Sequence, residues 1–204
     1  MSFIRDIYDW VLSWAEKPSG PKALSCISFM EASFFPIPPD VLLIALGLGK
    51  REKALYYGIL CSISSICGAI FGYAIGLWAW WGVGGDFSII ANFFFEHVPG
   101  FNLNSFEKIR NLYDDYNFMI IFSAGFTPIP FKIFTISAGA FKINFPLFLL
   151  AGAISRSARF MLVAYLINRY GDPIRYFIDK YFNLLAIAFT VLLFGGFFII
   201  KIFI

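Results

Sequence analysis

The sequence predicts an all-α polytopic membrane protein, a single membrane domain over residues 1–204 built on two proline-broken helical repeats. Three observations predict it. Hydrophobic residues make up 59% of the chain and charged ones only 14%, against about 25% charged in an average soluble protein. Residues 54–85 carry no charge at all. Two further apolar segments, 24–49 and 116–141, each hold a proline cluster near the middle and match one another at a fixed shift. A soluble domain of this size cannot hide so much apolar surface, so much of the chain has lipid as its solvent. A disordered chain, a soluble enzyme and a nucleic-acid-binding module are excluded.

The elements follow in order. Residues 1–21 place Phe3, Ile4, Ile7, Trp10, Val11 and Trp14 among Arg5, Asp6, Asp9, Glu16 and Lys17. That spacing gives an amphipathic helix on the membrane surface, with no signal-peptide pattern. The segment 24–49 is broken by Pro36, Pro38 and Pro39, and 116–141 by Pro128 and Pro130. Proline removes a backbone donor and drives the residue before it out of the helical region. Each segment therefore becomes two half-length helices, either a discontinuous crossing or a re-entrant hairpin, with its break buried or wet. A charge-free span follows within 54–80, and a further span, interrupted by Arg156 and Arg159, within 143–168. Residues 82–115 read as a polar loop, and 181–204 as a C-terminal transmembrane helix.

Shifting by 92 residues lays Phe34 on Phe126, Pro36 on Pro128, Ile37 on Ile129 and Pro38 on Pro130. Ile44, Gly47 and Lys50 fall on Ile136, Gly139 and Lys142. The repeats are then about 24–80 and 116–170. The basic loop Lys50-Arg51-Glu52-Lys53 faces the cytoplasm by the positive-inside rule. The stretch 82–115, with Asp86, Glu96, Glu107, Asp114 and Asp115 against Lys108 and Arg110, faces outward. If the segments are hairpins they enter from opposite sides and meet near the midplane, an inverted repeat of the kind secondary transporters use. Residues 169–180 then return to the cytoplasm, and the last helix ends outside.

Five charges fall inside apolar segments: Glu31, Asp40, Lys132, Arg156 and Arg159. Ionisable groups at membrane depth cost about 2.5–3.5 kcal/mol or more, and persist only when paired, wet or useful. Asp40 and Lys132 occupy equivalent repeat positions. Glu31 and Asp40 are proton-coupling candidates, since burial disfavours a charged carboxylate. Lys132, Arg156 and Arg159 are candidates for an anionic headgroup such as phosphate. Alternatively, the five make internal salt bridges that fix the breaks, and the arginines cap them. Gly68, Gly72 and Gly76 form a helix-packing face, and a homo-oligomer is possible. Trp78, Trp80, Trp81 and Phe93–Phe95 read as an aromatic belt. His97 reads as solvated, and Cys26, Cys61 and Cys67 as buried thiols. No metal cluster, phosphate-binding loop or other cofactor motif appears in the sequence.

The run Glu31-Ala32-Ser33-Phe34-Phe35-Pro36-Ile37-Pro38-Pro39-Asp40 resembles the acidic, proline-rich signature of the DedA family (the VTT or SNARE-associated superfamily). Gly68-x-x-x-Gly72-Tyr73-x-x-Gly76 and Gly125-Phe126-Thr127-Pro128-Ile129-Pro130-Phe131-Lys132, with Ala138-Gly139 following, resemble it too. The resemblance covers residues 22–170 and is nearest the YqaA-like branch. It implies inverted re-entrant hairpins in a bacterial cytoplasmic membrane. It also implies proton-dependent lipid transport, including undecaprenyl phosphate, with Glu31 and Asp40 as the family acids and Lys132 at a basic position. Typical members carry arginine where this chain has Phe126 and Lys132, which leaves the substrate open. The expected function is a proton-coupled flippase for an anionic lipid phosphate. A scramblase without ion coupling, an assembly factor and a membrane-embedded lipid phosphatase are the alternatives, and no enzymatic nucleophile is expected.

Overall fold

The computed structural model describes residues 13–35, 37–98, 102–127 and 129–171, together with Trp10. Among them are seven α-helices and no strand. They are α1 (Gly20–Ser33), α2 (Asp40–Gly49), α3 (Ala54–Trp80), α4 (Ile89–His97), α5 (Leu103–Phe126), α6 (Phe131–Ala140) and α7 (Phe145–Tyr170). Pro36 and Pro128, the C-terminal helix expected over 181–204 and most of the amphipathic helix expected over 1–21 lie outside the described residues.

Local chemistry sets the boundaries. Pro21 sits in the first turn of α1 and Pro146 in that of α7, where a missing N–H costs nothing. Asp40 opens α2 beneath the Pro38-Pro39 pair and complements the helix dipole. The side chains of Ser88, Asn102 and Asn144 cap α4, α5 and α7 by accepting from Ala91, Ser105 and Leu147 N–H groups. α5 is kinked at Tyr116 (φ −120°, ψ 21°). Shifted by 92, α2 falls within one residue of α6 at both ends, and the start of α3 within one residue of the start of α7.

Two helices, Arg51–Trp80 with its leading turn and Phe145–Tyr170, are long and apolar enough to cross a membrane. α2 and α6, at 10 residues each, reach only about 15 Å, half of a bilayer core. α1 runs alongside α3, and Gly20 lies against Leu46, so the start of α1 and the end of α2 share one end of the molecule. Arg51 Nη2 donates to the Asn168 carbonyl at 3.2 Å, and Asn168 Nδ2 returns a bond to the Arg51 carbonyl at 2.8 Å, placing the end of α7 there too. At the opposite end Trp81 Nε1 donates to the Ala140 carbonyl (2.8 Å) and Tyr73 to the Ile143 carbonyl (2.8 Å). Trp80 stacks there on Phe106 of α5, and Lys142 (φ 53°) lies 3.6 Å over the Trp81 ring. The pairs α1–α2 and α5–α6 therefore open at opposite ends of α3.

The 82–115 stretch, expected as a polar loop, is largely helical among its described residues. It forms α4 and the first half of α5, and Phe87, Phe95 and Phe106 pack with Trp80 and Trp81. The cysteines divide as well: Cys61 is buried, but Cys26 and Cys67 are exposed.

Two apolar clusters flank a polar layer. One joins Leu24, Leu43, Leu46, Tyr57 and Phe160, and the other Phe106, Ile121, Phe131, Phe141 and Phe148. Between them lie buried Ser28, Glu31, Ser33, Asp40, Ser65, Thr127, Thr135 and Arg156. Proline chemistry explains part of this layer. The Ala32 carbonyl would bond residue 36 in a continuous helix, but residue 36 is proline and has no N–H. Thr135 Oγ1 of α6 donates to that carbonyl instead, at 2.8 Å. Replacing Thr135 by valine leaves it orphaned in the core. The expected cost is about 1–3 kcal/mol in unfolding, measured by denaturant titration in detergent; an unchanged midpoint would remove this contact from the seam.

Candidate functional site

The two helix breaks meet. One pocket is lined by Glu31, Phe35, Pro38 and Asp40 from the first break, Ile129, Pro130 and Lys132 from the second, and Arg156 and Arg159 from α7. All five charges that the sequence places in apolar segments are here, although they span residues 31 to 159. Pro38 and Pro130 form its walls, and buried Pro39 precedes α2. Gly68, Gly72 and Gly76 are not in the pocket. They press α3 against the backbones of Phe29, Ala32 and Ile136 and so hold α1 and α6 in place.

Each break supplies its charges through helix ends. Glu31 is on the last turn of α1, Asp40 is the first residue of α2, and Lys132 is on the first turn of α6. Arg156 and Arg159 are three apart on α7 and face the pocket together.

Arg156 pairs with Glu31 through Nη2 and Oε2, and its Nε donates to Ser65 Oγ at 2.8 Å. Its guanidinium lies 5.1 Å from the Phe131 ring and 4.6 Å from the Phe160 ring, one ring from each apolar cluster. The planar cation is thus held by aromatic faces, a carboxylate and a hydroxyl. Arg159 forks onto Asp40, with Nε to Oδ1 at 3.1 Å and Nη2 to Oδ2 at 3.0 Å. Its Nη1 donates to the Thr127 carbonyl at the end of α5. Arg159 therefore ties the second break to the start of the first repeat's α2.

Lys132 differs. It is half-buried, lines the pocket, and makes no ion pair among the described residues. The repeat register makes Asp40 and Lys132 equivalent, but Asp40 takes Arg159 as its partner. Three cations face two carboxylates here, so by formal charge the pocket has a surplus of one positive charge. Its volume is about 70 Å³, far below the ~300–1,000 Å³ of small-molecule sites. As it stands it has room for a few waters but not for a lipid headgroup.

Sequence reasoning missed Ser65, the Phe131 and Phe160 faces and the Thr127 carbonyl. Ser65 lies one turn before Gly68 in a small-residue run, which points to close packing but not to a guanidinium partner. No group of three or more metal-ligating side chains occurs among the described residues.

No family model matches the chain, and no solved structure does. An uncharacterized protein of Haemophilus influenzae is 31% identical over 210 residues, covering 98% of this chain and 100% of its own length. An uncharacterized homologue from Histophilus somni is 36% identical over 166 residues, covering 81% of this chain and 82% of that protein. This chain belongs to the family of these uncharacterized bacterial proteins.

Proposed function

We propose that the protein is a multi-pass carrier in the bacterial cytoplasmic membrane that moves an anionic lipid phosphate, coupled to protons. In this reading α1–α2 and α5–α6 are re-entrant hairpins of a DedA-type inverted repeat. They enter from opposite faces and meet at the midplane. Their opening at opposite ends of α3 and the half-bilayer lengths of α2 and α6 support it. So do the large apolar side chains left exposed on α3 and α7, among them Ile63, Trp78, Leu150 and Leu162, an arrangement that suits lipid and penalises water.

The observation that carries the function is the pocket's charge set. Two arginine–carboxylate pairs and a lysine with no ion pair among the described residues converge at the helix breaks. Lys132 attracts an anion first. Protonation of Glu31 or Asp40 removes a negative charge, raises the positive surplus and frees guanidinium N–H groups for phosphate oxygens. Loss of the proton restores the pair and expels the anion. The closed volume requires the hairpins to part for a headgroup to enter. Such a cycle couples one lipid to one or more protons without any covalent step.

Flux of a fluorescent anionic lipid phosphate in proteoliposomes with an imposed pH gradient tests this. Glu31→Gln, Asp40→Asn and Lys132→Met are each expected to cut flux by about tenfold or more, a loss of roughly 1.4 kcal/mol. Lys132→Arg retains most of it. Wild-type flux in all three neutralised variants rules the mechanism out. A purely structural role is the second reading, favoured by the pairing of both carboxylates. Exchanging Asp40 and Arg159 separates the two: a structural pair survives the swap with flux intact, whereas a directional proton site does not.

A further inference from the structure

A second cavity lies behind the first. It is a groove of about 380 Å³ between α1 and α3, within the usual range of ligand sites. α1 supplies Ser25, Cys26, Phe29 and Met30, and α3 supplies Ile63, Ser64 and Cys67. No charged residue lines it. Its two hydroxyls bond one another, Ser25 Oγ to Ser64 Oγ at 2.6 Å, which leaves one O–H of the pair to offer a guest. An occupant therefore gains little from polar groups and loses if it brings unpaired ones of its own. The remaining lining is an aromatic ring, a branched aliphatic chain and three polarizable sulfur side chains, which adapt to an irregular apolar guest.

The groove opens outward. Cys26, Cys67 and Ile63 on its rim are exposed, and so are Ile59, Ile70 and Phe71 farther along α3. Its floor is closed because Gly68 brings α3 onto the Phe29 backbone. Neighbouring residues on these helices serve both cavities. Met30 and Ser64 line the groove, while Glu31 lines the charged pocket and Ser65 holds Arg156.

We propose that this groove binds one hydrocarbon chain of a membrane lipid. The inference rests on the membrane placement proposed above and does not depend on the transport cycle. The groove's apolar rim is continuous with the exposed apolar face of α3, so the guest that reaches it is an acyl or isoprenoid chain. A bound chain packs against the turn of α1 that leads into Glu31.

The test uses the purified full-length protein in phosphatidylcholine vesicles doped with a phosphatidylcholine that carries a mid-chain diazirine. After photolysis, adducts are mapped by mass spectrometry. Enrichment on residues 25–30 and 63–67 over the exposed face of α7 is expected. Cys67→Trp fills the groove and should lower that enrichment about tenfold, and Cys26→Phe should do the same. Lys132→Met, which breaks no ion pair among the described residues and lies on neither α1 nor α3, should leave it unchanged, so the groove stands or falls separately from the transport mechanism. Adducts spread evenly over the groove and over Leu150, Ile154 and Leu162 overturn the groove and leave the membrane placement standing. Absence of adducts on every face overturns both.

Discussion

Arg156→Met is expected to lower unfolding stability by about 3–5 kcal/mol, because it strands Glu31 as a buried, unpaired charge. The Arg156 side chain is 3% exposed and that of Glu31 is 10% exposed, so bulk water is a poor substitute for the lost bond. Ser65 loses its donor as well, and Phe131 and Phe160 lose the cation between their rings. The double variant Glu31→Gln, Arg156→Met should recover much of the loss, since two neutral groups of similar shape replace the pair. Thermal unfolding in detergent, run as a double-mutant cycle, measures the coupling. Arg159→Met strands Asp40 in the same way, since the Asp40 side chain is only 8% exposed. An Arg156→Met protein as stable as the wild type would show that the Glu31 pair does not hold the breaks together.

The architecture was legible where local chemistry decides it. The charge-free run from 54 becomes α3, and the prolines interrupt helices where their missing N–H groups require it. The five costly charges could be picked out because no membrane segment carries such groups without use. Their partners could not be picked out. Arg156 meets Glu31 across 125 residues and Arg159 meets Asp40 across 119, and no periodicity encodes a contact between distant helices. The repeat suggested a relation between Asp40 and Lys132, but equivalence under a pseudo-symmetry is not contact. The 82–115 stretch misled because its charges are conspicuous. Phe106 and Tyr113, seven apart and both buried, carry the helical stripe of α5 that those charges obscure. The sequence predicts buried thiols at Cys26 and Cys67, but an exposed position on an apolar helix face has neighbours as apolar as those of a core position. Composition alone does not separate the two.

The glycine seam gives the other large effect. Gly76 and Gly139 bring α3 and α6 into backbone contact from both sides. A Cβ on Gly76 would overlap the Ile136 carbonyl and meet Ala140 N at 3.0 Å, and one on Gly139 would overlap the Tyr73 carbonyl and meet Leu77 N at 2.9 Å. In each case the obstacle is helix backbone, which cannot rotate away as a side chain can. Gly139→Ala is therefore expected to cost at least the ~1–3 kcal/mol of an overpacked core, despite alanine's better helix propensity. Gly49→Ala is the control, with nothing within 4 Å of its added Cβ; it should be neutral or stabilising by up to about 1 kcal/mol. Displacing α6 strains the Thr135 bond to Ala32 and the Trp81 bond to Ala140, and it carries Lys132 away from the pocket. Gly139→Ala should then lower lipid flux along with the unfolding midpoint, while Gly49→Ala changes neither. A Gly139→Ala protein with normal stability and flux would mean that α6 can stand off from α3 without consequence, and the two breaks would need some other clamp to keep their charges together.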